Sequence, residues 1–263
     1  MVASRFIFCT FSGLEPIVLS VEYFFSTAAN PEHPFVLFGL SHGLLFLWVC
    51  LFGFLVVRAG MRANEKRRQQ LRWFLVILFL IWEVEWQAWH ILTDTWSLQK
   101  NLPLQMCSIM IWVSIWGLLS RKRFVMALMY FFGIAGAVQA IITPDAIYAF
   151  PHFRFMNTWF SHSLLVTTGF WVVFVEGYRP TLRDLRNCFI TVNVYAVPVY
   201  LINITIDAGY LYLGKKPETA SLMDFFPEWP WYFFILQGLL LLIMIGMYLP
   251  FRKADPRFQP AAA

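Results

Sequence analysis

The chain has 263 residues, of which 59% are hydrophobic and only 13% are charged, whereas soluble domains carry about 25% charged residues. This composition excludes an ordinary soluble protein and predicts an all-α integral membrane protein. The net charge of +5 does not indicate nucleic-acid binding, because the basic residues fall in short connections between apolar segments. The four cysteines lack the Cys-x-x-Cys spacing of zinc or redox sites.

Residues 1–34 precede the first long apolar segment. Only Arg5 supplies the basic region that a signal peptide requires, and Glu15, Pro16 and Glu22 interrupt the apolar stretch that follows. We therefore predict that residues 1–34 form an N-terminal interfacial segment and not a cleaved signal peptide.

Seven later segments are apolar and approach or reach the roughly 20 residues needed to cross a bilayer. We therefore predict a bundle of seven transmembrane helices over residues 35–250, followed by a cytoplasmic tail over residues 251–263. In the fourth segment, Gly133 and Gly136 are each followed four residues later by alanine, a spacing that lets helices pack closely. The seven predicted segments are residues 35–57, 73–92, 102–119, 124–142, 157–175, 188–206 and 229–249.

Lysine and arginine are distributed unequally between the two ends of these segments. Fifteen of the 20 basic residues lie between segments one and two, three and four, or five and six, or after segment seven. Because such basic loops remain on the cytoplasmic side, the sequence predicts an N-terminus outside and a C-terminus inside.

Helix rise then places most of the polar membrane residues near the outer surface. Cys107 lies about 7 Å below the outer end of segment three, and His162 lies at about the same depth in segment five. Ionisable groups inside a membrane are costly and usually face a cavity or a partner, and a thiol beside an imidazole suggests a nucleophile and its base. The alternative is that these groups only hydrogen-bond across helices. The same layer contains His42, Glu83, His90, Gln139 and Asn203.

The predicted outer loop between segments four and five, residues 143–155, is short and aromatic. It carries Asp145, His152 and Arg154, and its arginine could bind an anionic lipid headgroup. The alternative is an interfacial aromatic belt in which an Asp–Arg pair stabilises the turn. The sequence leaves both interpretations open.

Six short motifs occur in order along nearly the whole chain. They are Leu-Pro-Leu-Gln-Met-Cys-Ser at 102–108, Thr-Pro-Asp at 143–145, Phe-Pro-His-Phe-Arg-Phe at 150–155, Ser-His at 161–162, Lys-Pro-Glu at 216–218 and Trp-Pro-Trp-Tyr at 229–232. Together they closely resemble bacterial YwaF-like integral membrane proteins. That family is similar to the eukaryotic transmembrane protein 164, a lipid acyltransferase acting on ether phospholipids, and more distantly to the androgen-induced lipid hydrolases.

The resemblance implies an acyl-enzyme on Cys107, with His162 as its base and a membrane phospholipid as its substrate. It also implies a location in the bacterial cell membrane, and it requires no metal or other cofactor. The chain departs from the family at Gln105, where bacterial relatives commonly carry histidine. Gln105 retains the capacity to donate a hydrogen bond.

We therefore expect a lipid acyltransferase or acyl hydrolase acting at the outer leaflet, in which a thiolate attacks an acyl ester. A lipid hydroxyl or water would then receive the acyl group. Candidates to orient the imidazole are Glu83 and His42. Candidates to stabilise the oxyanion are Asn203 and Gln139.

Two other functions remain open from the sequence. One is a metal-dependent lipid hydrolase, in which zinc would take three protein ligands, although no His-x-x-x-His pair is present. The other is a non-catalytic transporter or ligand-binding membrane protein, although the internal repeat found in many transporters is not evident. The candidate metal ligands are His42, His90, His152 and His162.

Overall fold

A computed structural model describes residues 6–7, 18–19, 21–28, 35–144, 148–217 and 222–253. The described N-terminal part contains one antiparallel pair of two-residue strands, β1 (Phe6–Ile7) and β2 (Val18–Leu19), and one helical turn, α1 (Val21–Phe24). All other regular structure in the described ranges is helical, so the predicted all-helical bundle is confirmed. Most of the predicted interfacial segment, and the predicted tail beyond residue 253, lie outside the described residues.

Seven helical segments form the bundle. The fourth of them consists of α5 (Arg123–Leu128), a π-helical turn (Met129–Gly133) and α6 (Ile134–Ile142). The others are α2 (Leu40–Arg62), α3 (Glu65–Leu92), α4 (Met106–Ser120), α7 (Phe153–Phe174), α8 (Leu182–Ile206) and α9 (Trp231–Tyr248).

Five of these segments in the described chain are long and apolar enough to cross a membrane: α2, α3, α5 to α6, α8, and α9 with the 3-10 turn that follows it. The chain is therefore a multi-pass membrane protein. The other two segments do not meet these criteria for a membrane span. The helix α4 is too short, with only 15 residues, and α7 is less apolar because it lies at the centre of the bundle. There α7 contacts α2, α3, α4 and α6, and polar side chains can face protein partners instead of lipid.

The start of α4 differs from the sequence prediction. The predicted segment began at residue 102, but residues 102–105 form a loop and the helix begins at Met106. Pro103 accounts for part of this difference, since proline disfavours helical conformation in the residue before it. Cys107 is consequently the second residue of α4, and not a full turn inside it.

One end of the bundle, where α2 joins α3, α4 joins α5 and α7 joins α8, is called here the basic end. It is held by a network around the buried carboxylate of Glu176. This carboxylate accepts hydrogen bonds from Arg72 at 2.8 Å and from Arg121 at 3.0 Å. It also accepts one from the indole N–H of Trp171 at 2.8 Å. The network joins α3, the end of α4 and the end of α7.

The opposite end, called here the aromatic end, is held by bonds between its loops. The Tyr210 hydroxyl donates to the carbonyl of Leu98 at 2.7 Å and accepts from the N–H of Leu102 at 2.9 Å. Asn203 near the end of α8 donates to the carbonyls of Tyr210 and Leu213 and accepts from the Tyr210 N–H. The α8–α9 connection thereby fixes the loop that leads into α4.

Candidate functional site

The thiol of Cys107 and the imidazole of His162 come together between α4 and α7. The two side chains are close enough to interact electrostatically, and both residues are half-buried. His162 Nδ1 lies 2.6 Å from the carbonyl oxygen of Thr158. A carbonyl can only accept, so Nδ1 carries the proton and Nε2 of the neutral ring is left to accept one. The imidazole is therefore held in the tautomer that a base for the thiol requires.

The first turn of α4 places hydrogen-bond donors next to the same sulfur. The first N–H groups of a helix have no carbonyl partner within the helix. The side chain of the N-cap residue Gln105 does not bond to them, because its oxygen accepts from the N–H of Leu211 at 3.0 Å. The N–H groups of Cys107 and Ser108 thus lie at the positive end of the helix dipole, which stabilises a thiolate or an oxyanion.

The third wall beside the thiol is formed by Gly136 of α6. A Cβ atom added at Gly136 would lie 3.9 Å from Cys107 Sγ and 3.8 Å from Cγ of Met106. Gly136 is half-buried, like the thiol itself. Three helices, α4, α6 and α7, therefore border the sulfur.

Two residues predicted to support the chemistry form hydrogen bonds elsewhere. Both ring nitrogens of His42 bind backbone, since Nδ1 accepts from the Phe38 N–H at 2.8 Å and Nε2 donates to the Ile141 carbonyl at 2.9 Å. These bonds tie the start of α2 to the end of α6. Asn203 uses its amide within the connection that follows α8. Neither side chain holds the imidazole of His162, whose Nδ1 partner is Thr158.

The other predicted members of the polar layer are distributed over α3 and α6. Glu83 is buried and accepts a hydrogen bond from Gln87 at 3.0 Å. His90 is buried, and its Nδ1 lies 2.8 Å from the Thr95 hydroxyl. Gln139 is exposed on α6, three residues beyond Gly136. Of the polar layer, the structure thus brings Cys107 and His162 together as a pair.

Sequence comparison places this architecture in a known family. The model of the TMEM164 family matches residues 29–248, which is most of the 263-residue chain. The chain belongs to the TMEM164 family. The matched range includes all of α2 to α9 and therefore the Cys107–His162 pair. No match was found among curated proteins or among solved structures.

Arg154 occupies an aromatic environment in this TMEM164-family protein. Its guanidinium carbon lies 4.9 Å from the ring centre of Trp86, 5.3 Å from that of Tyr148 and 5.6 Å from that of Trp89. Such cation–π contacts hold a positive charge at the aromatic end of the bundle. Asp145, the acidic residue predicted to act with Arg154, lies outside the described residues.

His152 joins the N-terminal segment, residues 21–28, to the start of α7. Its Nε2 donates to the carbonyl of Ser26 at 2.9 Å, while its Nδ1 accepts from the N–H of Arg154 at 3.1 Å and caps the helix. The Tyr148 ring stacks on the imidazole, with ring centres 4.0 Å apart. Only a neutral imidazole can donate at one nitrogen and accept at the other.

The contact between segment 21–28 and His152 is expected to weaken in acid. Burial, reinforced by the charge of Arg154, lowers the pKa of His152 below its ordinary 6.5. Above that pH the imidazole is neutral whether or not the segment is docked. Below it, the undocked imidazole takes up a proton more readily than the docked one, so docking becomes less favourable as the pH falls.

Hydrogen exchange of segment 21–28 at pH 7.5 and at pH 5 measures this effect. Exchange should be faster at the lower pH after correction for the intrinsic rate. His152→Asn is the control, because asparagine can still cap α7 but does not titrate. The same pH dependence in that variant would show that another group is responsible.

The four candidate histidines do not converge on a metal site in the part of the chain that the structure describes. Within the described ranges, no group of three or more His, Cys, Asp or Glu side chains is arranged to hold a metal ion. His42, His90, His152 and His162 instead bind four different sets of partners.

Sequence reasoning missed three features of the site. Thr158 lies one helical turn before His162, and that i−4 spacing was the available signal for its carbonyl. Gly136 was assigned only to helix packing. The donor role of the first turn of α4 was hidden because the helix was expected to start four residues earlier.

Proposed function

We propose that this TMEM164-family protein is a membrane-embedded lipid acyltransferase or acyl hydrolase in which Cys107 is the nucleophile and His162 the base. The observation that carries the proposal is the pairing of a half-buried thiol with an imidazole whose Nδ1 is fixed on the Thr158 carbonyl. This is the arrangement of a nucleophile, a base and a group that orients the base. Family membership supports the membrane location of the reaction.

In the first half-reaction, His162 Nε2 takes the proton of the thiol and the sulfur attacks the carbonyl carbon of an acyl ester. The N–H groups at the start of α4 stabilise the oxyanion that forms. When the tetrahedral intermediate collapses, the ester C–O bond breaks and His162 returns its proton to the departing lysolipid oxygen. The acyl group is then held as a thioester on Cys107.

In the second half-reaction, a hydroxyl group of another lipid or a water molecule enters the site. His162 removes its proton as the oxygen attacks the thioester carbonyl. The C–S bond breaks, and the proton passes to the thiolate. A lipid acceptor gives acyl transfer and water gives hydrolysis, so access of water to the half-buried thiol decides between the two.

We further propose that all seven helical segments cross the membrane, with the N-terminus outside and the basic end in the cytoplasm. The aromatic end and the Cys107–His162 pair then lie in the outer half of the bilayer. There Arg154, with His152 and Asp145, would contact the phospholipid headgroup. The motifs shared with bacterial YwaF-like proteins support a location in the bacterial cytoplasmic membrane.

Intact-mass spectrometry of the purified protein after incubation with mixed phospholipid vesicles tests the proposal. We expect the wild type to gain the mass of an acyl chain, to lose it on treatment with hydroxylamine, and to carry it on Cys107. Cys107→Ala should gain no such mass, while Cys50→Ala, in which an exposed cysteine is replaced, should behave like the wild type. Absence of the adduct, together with a Cys107 that does not react with thiol reagents, would favour a non-catalytic binding or transport function.

A further inference from the structure

We propose that Gly136 forms a notch through which an acyl chain reaches the Cys107 sulfur, and that this residue determines which reagents and substrates gain access. The inference rests on the proposed acyl chemistry of Cys107. The lipid substrate is proposed to approach the sulfur from the side of α6. The occupant of the notch is the acyl chain of a membrane lipid.

Helix packing does not account for glycine at position 136. A Cβ added at Gly117 would overlap the side chain of Met129, and one added at Gly169 would overlap Ile134. Glycine is required at those positions because helices approach closely. At Gly136 the nearest atoms to an added Cβ are Cγ of Met106 at 3.8 Å and Sγ of Cys107 at 3.9 Å, both at ordinary contact distance. The space left by the missing side chain therefore opens towards the thiol.

The uncovered face of α6 continues from this space to the aromatic end. Gln139, three residues beyond Gly136, is exposed, and so is Thr143, seven residues beyond it. At these spacings they lie on the same face of the helix as Gly136. Ala137 and Ile141, on the neighbouring face, are buried in the core. A path about 10 Å long thus runs along one helix face from the end of α6 to the sulfur.

A membrane lipid fits this path better than a soluble polar ligand does. The path is continuous with the Cys107–His162 pair and lies on a helix whose composition is that of a membrane span. Its polar side chains, Gln139 and Thr143, both lie on the side of the aromatic end. A lipid lying along α6 would therefore place its polar portion at Gln139, its ester carbon at the sulfur and its acyl chain beside Gly136.

The size of the residue at position 136 should decide access to the thiol. Alanine adds a Cβ at van der Waals distance from the sulfur and is expected to be tolerated. Valine adds two methyl groups, each about 1.5 Å further out, in the space beside the sulfur. The Gly136→Val substitution would leave room for a small reagent to approach Cys107 from the aromatic end, but not for a chain along α6.

The experiment compares alkylation of Cys107 by N-ethylmaleimide and by N-hexadecylmaleimide in proteoliposomes, mapped by peptide mass. In Gly136→Val we expect the long-chain reagent to react about 10- to 100-fold more slowly, the range that overpacking implies, and the small reagent to be nearly unaffected. Gly136→Ala should resemble the wild type. The matched control is Gly43→Val, because nothing lies within 4 Å of a Cβ added at Gly43.

The alkylation rates of Cys107 are measured independently of enzymatic turnover. The proposal is wrong if Gly136→Val leaves the rate with the long-chain reagent unchanged, or if it slows both reagents equally. It is also wrong if Gly43→Val slows the long-chain reagent as much as Gly136→Val does. The acyl adduct from phospholipid is followed in the same samples. If Gly136→Val slows only the long-chain reagent but the wild type forms no acyl adduct, the proposed function is wrong and the role proposed for Gly136 is supported. If the acyl adduct forms equally in the wild type and in Gly136→Val, the role proposed for Gly136 is wrong and the proposed function is supported.

Discussion

His162→Ala is expected to lower the rate of lipid acyl transfer or hydrolysis about 1,000-fold, the usual contribution of a positioned general base. Without the imidazole, the thiol loses the base that is held on the Thr158 carbonyl. The variant should regain part of its rate when imidazole is added, because a free base can enter the half-exposed site. It should also regain rate at high pH, where hydroxide removes the proton. Turnover is measured by mass spectrometry of lysolipid released from vesicles.

His42→Ala separates loss of the base from loss of structure. His42 is buried and binds backbone through both nitrogens, so its replacement should destabilise the protein by about 1–3 kcal/mol. It should nevertheless retain the acyl adduct on Cys107 and show no response to imidazole. Turnover near the wild-type level in His162→Ala, or imidazole rescue of both variants, would contradict the role proposed for His162.

Glu176→Ala is expected to destabilise the bundle by about 3–5 kcal/mol, the cost of removing one partner from a buried ion pair. Arg72, only 1% exposed, would lose its bond to the carboxylate, and Arg121 and the Trp171 indole would each lose an acceptor. The charge of Arg72 would then lie buried with only its exposed partners on α3, Glu65 and Gln69. Unfolding followed by circular dichroism in detergent micelles measures the loss.

Glu65→Ala is the matched control for the basic end. Glu65 also pairs with Arg72 and Arg121, but its side chain is 56% exposed. Water can replace an exposed carboxylate, so the expected loss is about 0–1 kcal/mol. Equal effects of the two substitutions would mean that burial of Glu176 does not set the strength of this network.

The two ends of the bundle differ in how their polar groups are used. At the basic end, Glu176 has three donors, and its contacts join three helices. At the aromatic end, Asn203 and His42 serve the same structural purpose through backbone bonds. The Cys107–His162 pair is different, because the imidazole of His162 interacts with a thiol. That difference supports a chemical role for the pair and a structural one for the surrounding polar residues.

Much of the architecture could be predicted from the chain itself. Segment length and hydrophobicity determine helices that can cross a bilayer, and helix rise converts position in a segment into depth. Depth was enough to predict that Cys107 and His162 share a layer. Five of the seven segments meet the length and composition of a membrane span. The other two do not, α4 because it has only 15 residues and α7 because its polar side chains are buried against protein.

The sequence by itself therefore determined that this is a helical membrane protein of the TMEM164 family, and it predicted which residues share a layer. Only the tertiary structure decided which of those residues are neighbours. Depth follows from a fixed rise per residue, whereas lateral contacts depend on how helices order and rotate in the bundle. His42 and Asn203 are predicted in the same layer as the thiol but bind backbone elsewhere. Gly136, with no side chain to indicate a function, borders the sulfur because α6 packs against α4.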